Sequence, residues 1–212
     1  KNYSTTVLDN NGRMIVDIHG SVLRIPASNQ KLVSTSYSLH RLGPNYRFKT
    51  KLLKSSDNIY HLIGSGDPDL NINQLKKLAN SIINDSKLYN NKTITLNLYE
   101  EDQLNWWPKS WAKSDRRETY GAPITRLALS SNYSLNSLSN PTLTIQYYFN
   151  NQLSEMGLHN VTKVREYPPL VFRKSPQIVE EIQSAKLYYL LNLANSESHN
   201  FTAEVLLRAA IN

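Results

Sequence analysis

The sequence predicts an α+β fold in which a helix-and-sheet domain is interrupted by an inserted, mostly-β domain. Two short alternating segments near the N-terminus flank a turn, which is the pattern of a β-hairpin. Residues 28–42 then contain no glycine or proline, which favours a helix. Between residues 44 and 167 the pattern is mainly that of strands. We therefore assign residues 1–43 and 168–212 to the first domain and residues 44–167 to the inserted domain.

Two β-hairpins are predicted from turn residues between alternating segments. The first joins residues 5–8 and 14–18 through the turn Asp9-Asn10-Asn11-Gly12. The second joins residues 48–53 and 59–63. Two further strands are expected in the inserted domain, at residues 93–98 and 143–149.

Helix boundaries follow from proline, glycine and apolar spacing. Pro26 disfavours helix before Ala27, so the first helix is expected to begin at Ser28 and to end at Gly43-Pro44. A second helix is expected at residues 72–83, where apolar residues recur at helical spacing.

A third helix is expected to begin at Ser175, with Pro176 in its first turn. It is expected to pack against the helix that begins at Ser28, and Ser198 is expected to begin the next helix. The buried face of the third helix is predicted to contain Ile178, Ile182, Ala185, Tyr189 and Leu193.

Ser28 and Lys31 form the first candidate catalytic pair. In a helix their side chains lie on one face, about 5–6 Å apart at Cβ. A serine hydroxyl needs an adjacent base, and a lysine serves as one only when its pKa lies well below about 10.4. Burial and the positive helix N-terminus both lower that pKa. The alternative is a helix cap followed by a solvated lysine.

A second candidate motif is Ser198-His199-Asn200, which precedes an apolar helical segment. In class A β-lactamases and penicillin-binding proteins, Ser-x-x-Lys is followed by Ser-Asp-Asn. Ser28-x-x-Lys31 and Ser198-x-Asn200 occur here in that order. The alternative is an ordinary helix cap, because serine and asparagine both favour that position.

Composition excludes several classes of function. Lys and Arg total 24 against 17 Asp and Glu, a net charge of +7, but the basic residues are scattered, so no nucleic-acid binding is expected. The absence of cysteine excludes disulfides and thiolate chemistry. The five histidines lack metal-ligand spacing, so neither a metal nor a cofactor is predicted. No apolar run is long enough to span a bilayer.

Two further motifs admit two interpretations each. Gly64-Ser65-Gly66 is better explained as part of a β-turn than as a phosphate-binding loop, because Asp67 and Asp69 bring negative charge. The aromatic segment Trp106-Trp107-Pro108-Lys109-Ser110-Trp111 would either stack on sugar rings or anchor a long loop on its own domain. Anchoring is the more common role of such a cluster.

Several stretches match one family pattern in order along nearly the whole chain. They are residues 7–19, Pro26-Ala27-Ser28 through Leu32, Gly64-Ser65-Gly66-Asp67-Pro68-Asp69-Leu70, Tyr120-Gly121-Ala122-Pro123 with residues 127–132, Ser175-Pro176, and Ser198-x-Asn200 with Ala203-Glu204 and Leu206-Leu207. Through these stretches the chain resembles the D-alanyl-D-alanine carboxypeptidase/endopeptidases of the low-molecular-mass class C penicillin-binding proteins.

The resemblance implies an incomplete serine DD-peptidase/β-lactamase-like domain that acts on peptidoglycan stem peptides. Ser28 would form the acyl-enzyme, Lys31 would accept its proton, and Ser198 would relay a proton to the leaving amine. Asn200 would donate its amide to a substrate carbonyl and help to order Lys31. The resemblance also implies β-lactam antibiotics as covalent inhibitors and a periplasmic or other extracytoplasmic location.

One family motif is missing, since no Lys-Thr-Gly, Lys-Ser-Gly or His-Thr-Gly occurs in the sequence. In the family this motif follows the Ser-x-Asn helix, which is still expected to run at Asn212. We therefore expect a fragment that lacks this strand and is by itself inactive or nearly so. The rival interpretation is a non-catalytic peptidoglycan-binding or scaffold domain of the same fold. A β-lactamase is less favoured, because Ser28 and Ser198 lie far apart in the sequence.

Overall fold

The structure, a computed structural model, describes residues 3–88, 92–133, 140–169, 172 and 175–211. It divides into two compact units, Lys1–Gln30 and Lys31–Asn212. Seven strands and five α-helices occur in the described part of the chain. This mixture confirms the predicted α+β class.

The first unit contains the predicted N-terminal hairpin. Strands β1 (Thr5–Leu8) and β2 (Met14–Ile18) pair antiparallel. Asp9 Oδ1 closes the turn by accepting hydrogen bonds from the backbone N–H groups of Asn11 and Arg13, each at 2.8 Å. Every residue of both strands is exposed, so the local turn determines this hairpin more than any core does.

The second unit is built on a five-stranded sheet. The predicted hairpin is confirmed as β3 (Lys49–Ser56) and β4 (Ile59–Ile63), paired antiparallel. β4 pairs in parallel with β5 (Thr93–Glu100), which pairs in parallel with β6 (His159–Glu166). β7 (Gln177–Gln183) pairs antiparallel with β3, which gives the order β6-β5-β4-β3-β7.

Two crossover helices cover one face of this sheet. Parallel strands need a long connection, and α2 (Ile72–Leu88) joins β4 to β5 while α3 (Pro141–Glu155) joins β5 to β6. The helix predicted at residues 72–83 is therefore confirmed and is longer than expected. Burial of each large aliphatic side chain contributes about 1.5–3 kcal/mol. The fully buried side chains of this core include Leu52, Tyr60, Leu62, Leu75, Leu78, Ile82, Leu96, Leu98, Ile145 and Phe149.

A second core lies beside α4 (Leu187–Ser196) and α5 (Asn200–Ile211), which pack on each other. α1 (Gln30–Leu42) contacts this region through a hydrogen bond between Thr35 and Asn195. The second core therefore holds the two helices that flank Ser198. The buried residues of the second core include Phe48, Ile124, Leu187, Leu190, Phe201, Val205 and Leu206.

The prediction of a strand at residues 143–149 is wrong, because this segment belongs to α3. Asn140 caps the helix by accepting hydrogen bonds from the backbone N–H groups of Thr142 and Leu143, at 3.0 and 3.3 Å. Proline stands in its first turn, a position that proline favours. The buried residues Ile145 and Phe149 are four positions apart, as on one helix face.

The prediction of a helix that begins at Ser175 is also wrong, because this segment forms β7. Ile178 and Ile182 are four positions apart, a spacing that puts two residues on one face in a strand as well as in a helix. Pairing with β3 decides between the two, and Ile178 is 55% exposed rather than buried. The expected contact with α1 is made instead by Asn195 of α4.

The start of the first helix differs from the prediction. Ser28 lies in a short 3-10 helix, Ala27–Asn29, and α1 begins at Gln30. The domain boundaries stay a prediction: residues 44–167 supply β3 to β6, and β7 joins the same sheet. Within the described residues, none of the helices is long and apolar enough to cross a membrane.

Candidate active site

The four predicted catalytic residues are divided between the two units. Ser28 belongs to the first unit, while Lys31, Ser198 and Asn200 belong to the second. The 3-10 helix around Ser28 is closed by a 3.0 Å hydrogen bond from the Asn29 N–H to the Pro26 carbonyl. The pairing of Ser28 with Lys31 therefore stays a prediction.

Lys31 and Ser198 lie together although they are far apart in the sequence. The Lys31 ammonium Nζ donates a hydrogen bond to Ser198 Oγ at 3.3 Å. Lys31 is half-buried in the first turn of α1, and burial lowers its pKa because the charged form is poorly solvated there. This shift has the direction that a lysine base requires.

Ser198 occupies a strained position between α4 and α5. Its φ of 54° lies in the left-handed region, which non-glycine residues rarely adopt. The following residues enter α5, where the Ala203 N–H donates to the His199 carbonyl at 3.2 Å. Such strained residues concentrate at functional sites, where the surrounding packing holds them.

Asn200 is fixed by a short 3-10 helix, Thr119–Gly121, from the middle of the chain. Its amide Nδ2 donates to the Tyr120 carbonyl at 3.0 Å. The next residue, Gly121, accepts a 2.8 Å hydrogen bond from Trp107 Nε1 through its carbonyl. A side chain at Gly121 would lie 1.9 Å from the Asp115 carbonyl oxygen, so only glycine fits this approach.

His199 is a residue to which the sequence analysis assigned no role. Its ring lies 6.0 Å from that of Tyr133 and 6.5 Å from that of Phe201. Its Nδ1 is 2.7 Å from Thr202 Oγ1. Burial, and to a lesser degree the positive charge of Lys31, lowers the pKa of His199. The only sequence signal for it was its place inside the Ser-x-Asn motif.

The glycine-rich segment at residues 64–70 forms the predicted turn and supports α5. The turn is closed by the Leu70 N–H, which donates to the Asp67 carbonyl at 3.4 Å. Gly66 has a φ of 87°, and a Cβ there would lie 3.3 Å from Val205 of α5. Asp67 is fully buried, and its Oδ1 accepts a 2.8 Å hydrogen bond from the Asp69 N–H.

The tryptophan segment anchors its own loop. Trp106 Nε1 donates to the Glu101 carbonyl at 3.1 Å, and Trp111 packs against the second core. These contacts, together with the bond from Trp107 to Gly121, favour the anchoring interpretation over a sugar-stacking platform.

A cavity lies elsewhere on α5. It has a volume of about 750 Å³ and is lined by Val205 and Arg208 among others, but not by Lys31, Ser198 or Asn200. In the part of the chain that the structure describes, no group of three or more His, Asp and Glu side chains is placed to hold a metal ion.

Comparison with known proteins identifies the family. A sequence model of the D-Ala-D-Ala carboxypeptidase 3 (S13) family matches residues 2–143. The chain belongs to this family. The resemblance to low-molecular-mass penicillin-binding proteins is thereby confirmed. No curated protein matches the chain.

Solved structures of a penicillin-binding protein share the fold. Penicillin binding protein 4 from Haemophilus influenzae superimposes with a TM-score of 0.72 at 18% identity, over 95% of this chain and 60% of that chain. The same protein in complex with a β-lactam gives a TM-score of 0.63 at 20% identity, over 99% and 61%. The chain thus spans about 60% of the length of these proteins.

Proposed function

We propose that this S13-family chain carries the acylation machinery of a serine D-Ala-D-Ala carboxypeptidase/endopeptidase that acts on peptidoglycan peptides in the cell envelope. The observation that carries the proposal is the hydrogen bond from Lys31 to Ser198, in a setting that lowers the pKa of the lysine. These two residues come from motifs at opposite ends of the chain, and the contacts of α1 with α4 and α5 bring them together.

In the proposed reaction, Ser28 Oγ attacks the carbonyl carbon of the scissile amide and passes its proton to neutral Lys31. Ser198 relays a proton to the leaving amine. The Ser28 backbone N–H is one donor to the developing oxyanion. Water then hydrolyses the acyl-enzyme and regenerates the Ser28 hydroxyl.

Asn200 would bind the substrate through its side-chain amide. A primary amide carries two N–H donors, and one of them is used by the Tyr120 carbonyl. The second is assigned to a substrate carbonyl. The contact with Tyr120 therefore orients the group that would recognise the peptide.

The test is covalent labelling with a fluorescent penicillin followed by peptide mapping, on the longest form in which the protein occurs. Label is expected on Ser28, and Ser28→Ala and Lys31→Met should abolish it. Ser34→Ala is the matched control, since Ser34 lies one turn of α1 after Lys31 and its hydroxyl donates to the Lys31 backbone carbonyl at 3.1 Å. Absence of label on Ser28 would support the non-catalytic binding or scaffold role.

A further inference from the structure

A second serine, distinct from the residues discussed above, is hydrogen-bonded to a histidine. Ser55 Oγ lies 2.8 Å from His61 Nε2, and His61 Nδ1 lies 3.0 Å from the Tyr99 hydroxyl. The three residues come from β3, β4 and β5. Side chains alternate across a sheet, and because Leu62 is in the core, His61 lies on the face away from α2 and α3.

A β-bulge brings Ser55 to this position. Lys54 pairs with Tyr60 and Ser56 pairs with Ile59, so Ser55 is the extra residue on its strand. Bulges re-aim side chains and are common beside active sites. Ser55 is exposed, whereas His61 and Tyr99 are only 6% and 8% exposed. The hydroxyl is therefore accessible, and the groups behind it are enclosed.

The surroundings of His61 suit a proton acceptor. The Phe172 ring meets the imidazole edge to face at a centroid distance of 4.8 Å, and the Tyr99 ring stacks on it at 5.8 Å. Burial lowers the pKa of His61, so the imidazole is neutral at neutral pH. When Nδ1–H donates to the Tyr99 oxygen, Nε2 is left to accept the Ser55 proton.

We propose that Ser55 is a second nucleophilic serine, which accepts an acyl group from an activated ester with His61 as general base and Tyr99 as the residue that positions the imidazole. This site is independent of the proposed peptidase function. It also has a practical consequence, since an acylating reagent would then modify the protein at a position other than Ser28.

The proposed step conserves atoms and charge. A bond forms between Ser55 Oγ and the acyl carbon, and the bond from that carbon to the alcohol oxygen of the ester breaks. The proton moves from Oγ to His61 Nε2 and then to the departing alcohol. The products are an ester of Ser55 and one free alcohol, and the imidazole returns to its neutral form.

The experiment uses the Ser28→Ala chain, so that the proposed peptidase nucleophile is absent. A fluorophosphonate probe replaces the acyl donor: the Ser55 oxygen displaces fluoride from phosphorus, and peptide mapping locates the added mass. We expect mass on Ser55 in Ser28→Ala and none at that position in Ser28→Ala/Ser55→Ala. A Ser56→Ala change in the same background is the matched control and should leave the labelling rate unaltered.

His61→Gln in the same background tests the base. General-base catalysis contributes about 10²–10⁴-fold, so the rate at Ser55 should fall by at least about tenfold. Tyr99→Phe removes a single oxygen and should lower the rate several-fold with the fold intact, which keeps the test valid where His61→Gln does not fold. No mass on Ser55, or a rate unchanged in Tyr99→Phe and in folded His61→Gln, would overturn the proposal. The proposed peptidase function is tested separately, by penicillin labelling of Ser28 in the wild-type chain.

Discussion

The β1–β2 hairpin and the five-stranded sheet use the same strand geometry but bury very different amounts of side chain. Every residue of β1 and β2 is exposed, whereas Tyr60 and Leu62 of β4 are fully buried. A two-stranded hairpin is at best marginally stable in water, while three or more strands packed on helices are stable. A turn suffices to shape the hairpin, but a core is needed to stabilise the sheet.

The same contrast separates the proposed catalytic residues. Ser28 belongs to the unit with the exposed hairpin, while Lys31, Ser198 and Asn200 belong to the unit that contains both cores. The proposed nucleophile and the two buried cores therefore belong to different parts of the chain.

Amide hydrogen exchange should show the largest difference. Opening free energies range from near zero in frayed segments to the global value of about 5–15 kcal/mol in core strands. Since about 1.4 kcal/mol corresponds to tenfold, amides of β4 and β5 should exchange at least about a thousandfold more slowly than those of β1 and β2. Mass spectrometry of peptic fragments measures this, and equal protection would contradict the comparison.

A matched pair of truncations should follow the same division. Leu62→Ala removes a fully buried side chain and should lower the free energy of unfolding by about 2–5 kcal/mol. Ile15→Ala removes a side chain that is 64% exposed and should change it by about 0.5 kcal/mol or less. Urea unfolding followed by circular dichroism compares them. A comparable loss in Ile15→Ala would mean that the hairpin is covered in solution.

The stability of the second unit should decrease as the pH rises from about 4 through 7. Burial raises the pKa of Asp67 to about 7, whereas an unfolded aspartate titrates near 3.9. The folded chain therefore binds more protons in this range, and deprotonation costs up to about 4 kcal/mol. Burial also raises the pKa of Glu100 to about 7, so the deprotonation of Glu100 lowers the free energy of unfolding over the same pH range.

Asp67→Asn isolates the contribution of this carboxyl group. The variant retains Oδ1 for the Asp69 N–H and removes the titration. It should flatten the pH dependence of the unfolding free energy without abolishing it, because Glu100 remains. Denaturation at a series of pH values measures this, and a slope equal to that of the wild type would show that Asp67 does not titrate there.

The smallest contribution to the free energy of unfolding is expected from the ion pair between α2 and β7. Lys77 Nζ lies 3.2 Å from Glu180 Oε1, and the lysine side chain is 58% exposed. Exposed pairs contribute at most about 1 kcal/mol and weaken with salt. A double-mutant cycle with Lys77→Ala and Glu180→Ala should give a coupling of that size which vanishes at high salt. A larger, salt-independent coupling would make the pair part of the stable core.

Local turn chemistry made some elements predictable. Asp9 and Gly12 determine the first turn, and both strands of that hairpin lie where the sequence predicted them. The same kind of signal was present at Asn140, which caps α3, but the β-branched and aromatic residues that follow favoured a strand. At Ile178 the outcome depended on pairing with a distant strand, which apolar spacing alone does not reveal.

The candidate site was predictable only through motifs. Ser198 and Asn200 were predicted from the Ser-x-Asn motif and their roles from the resemblance, and the motif carries no information about the distance to Lys31. The contact between Lys31 and Ser198 results from the packing of α1, α4 and α5, which no local pattern encodes. The contact of Asn200 with the Tyr120 carbonyl was equally unpredictable, since every residue has a backbone carbonyl and the sequence does not indicate which one is contacted.

The position of β3 between β4 and β7 affects how the chain folds while it is being synthesised. β4 follows β3 immediately in the sequence. The strand that pairs with the other edge of β3 is β7, whose Ile182 pairs with Thr50, and it is translated much later. At about 5–20 residues per second, that edge stays unpaired on the ribosome for on the order of ten seconds. An open edge is a template for other chains. Crowding of nascent chains on a polysome would therefore reduce the yield of this protein more than the stability of its finished sheet suggests.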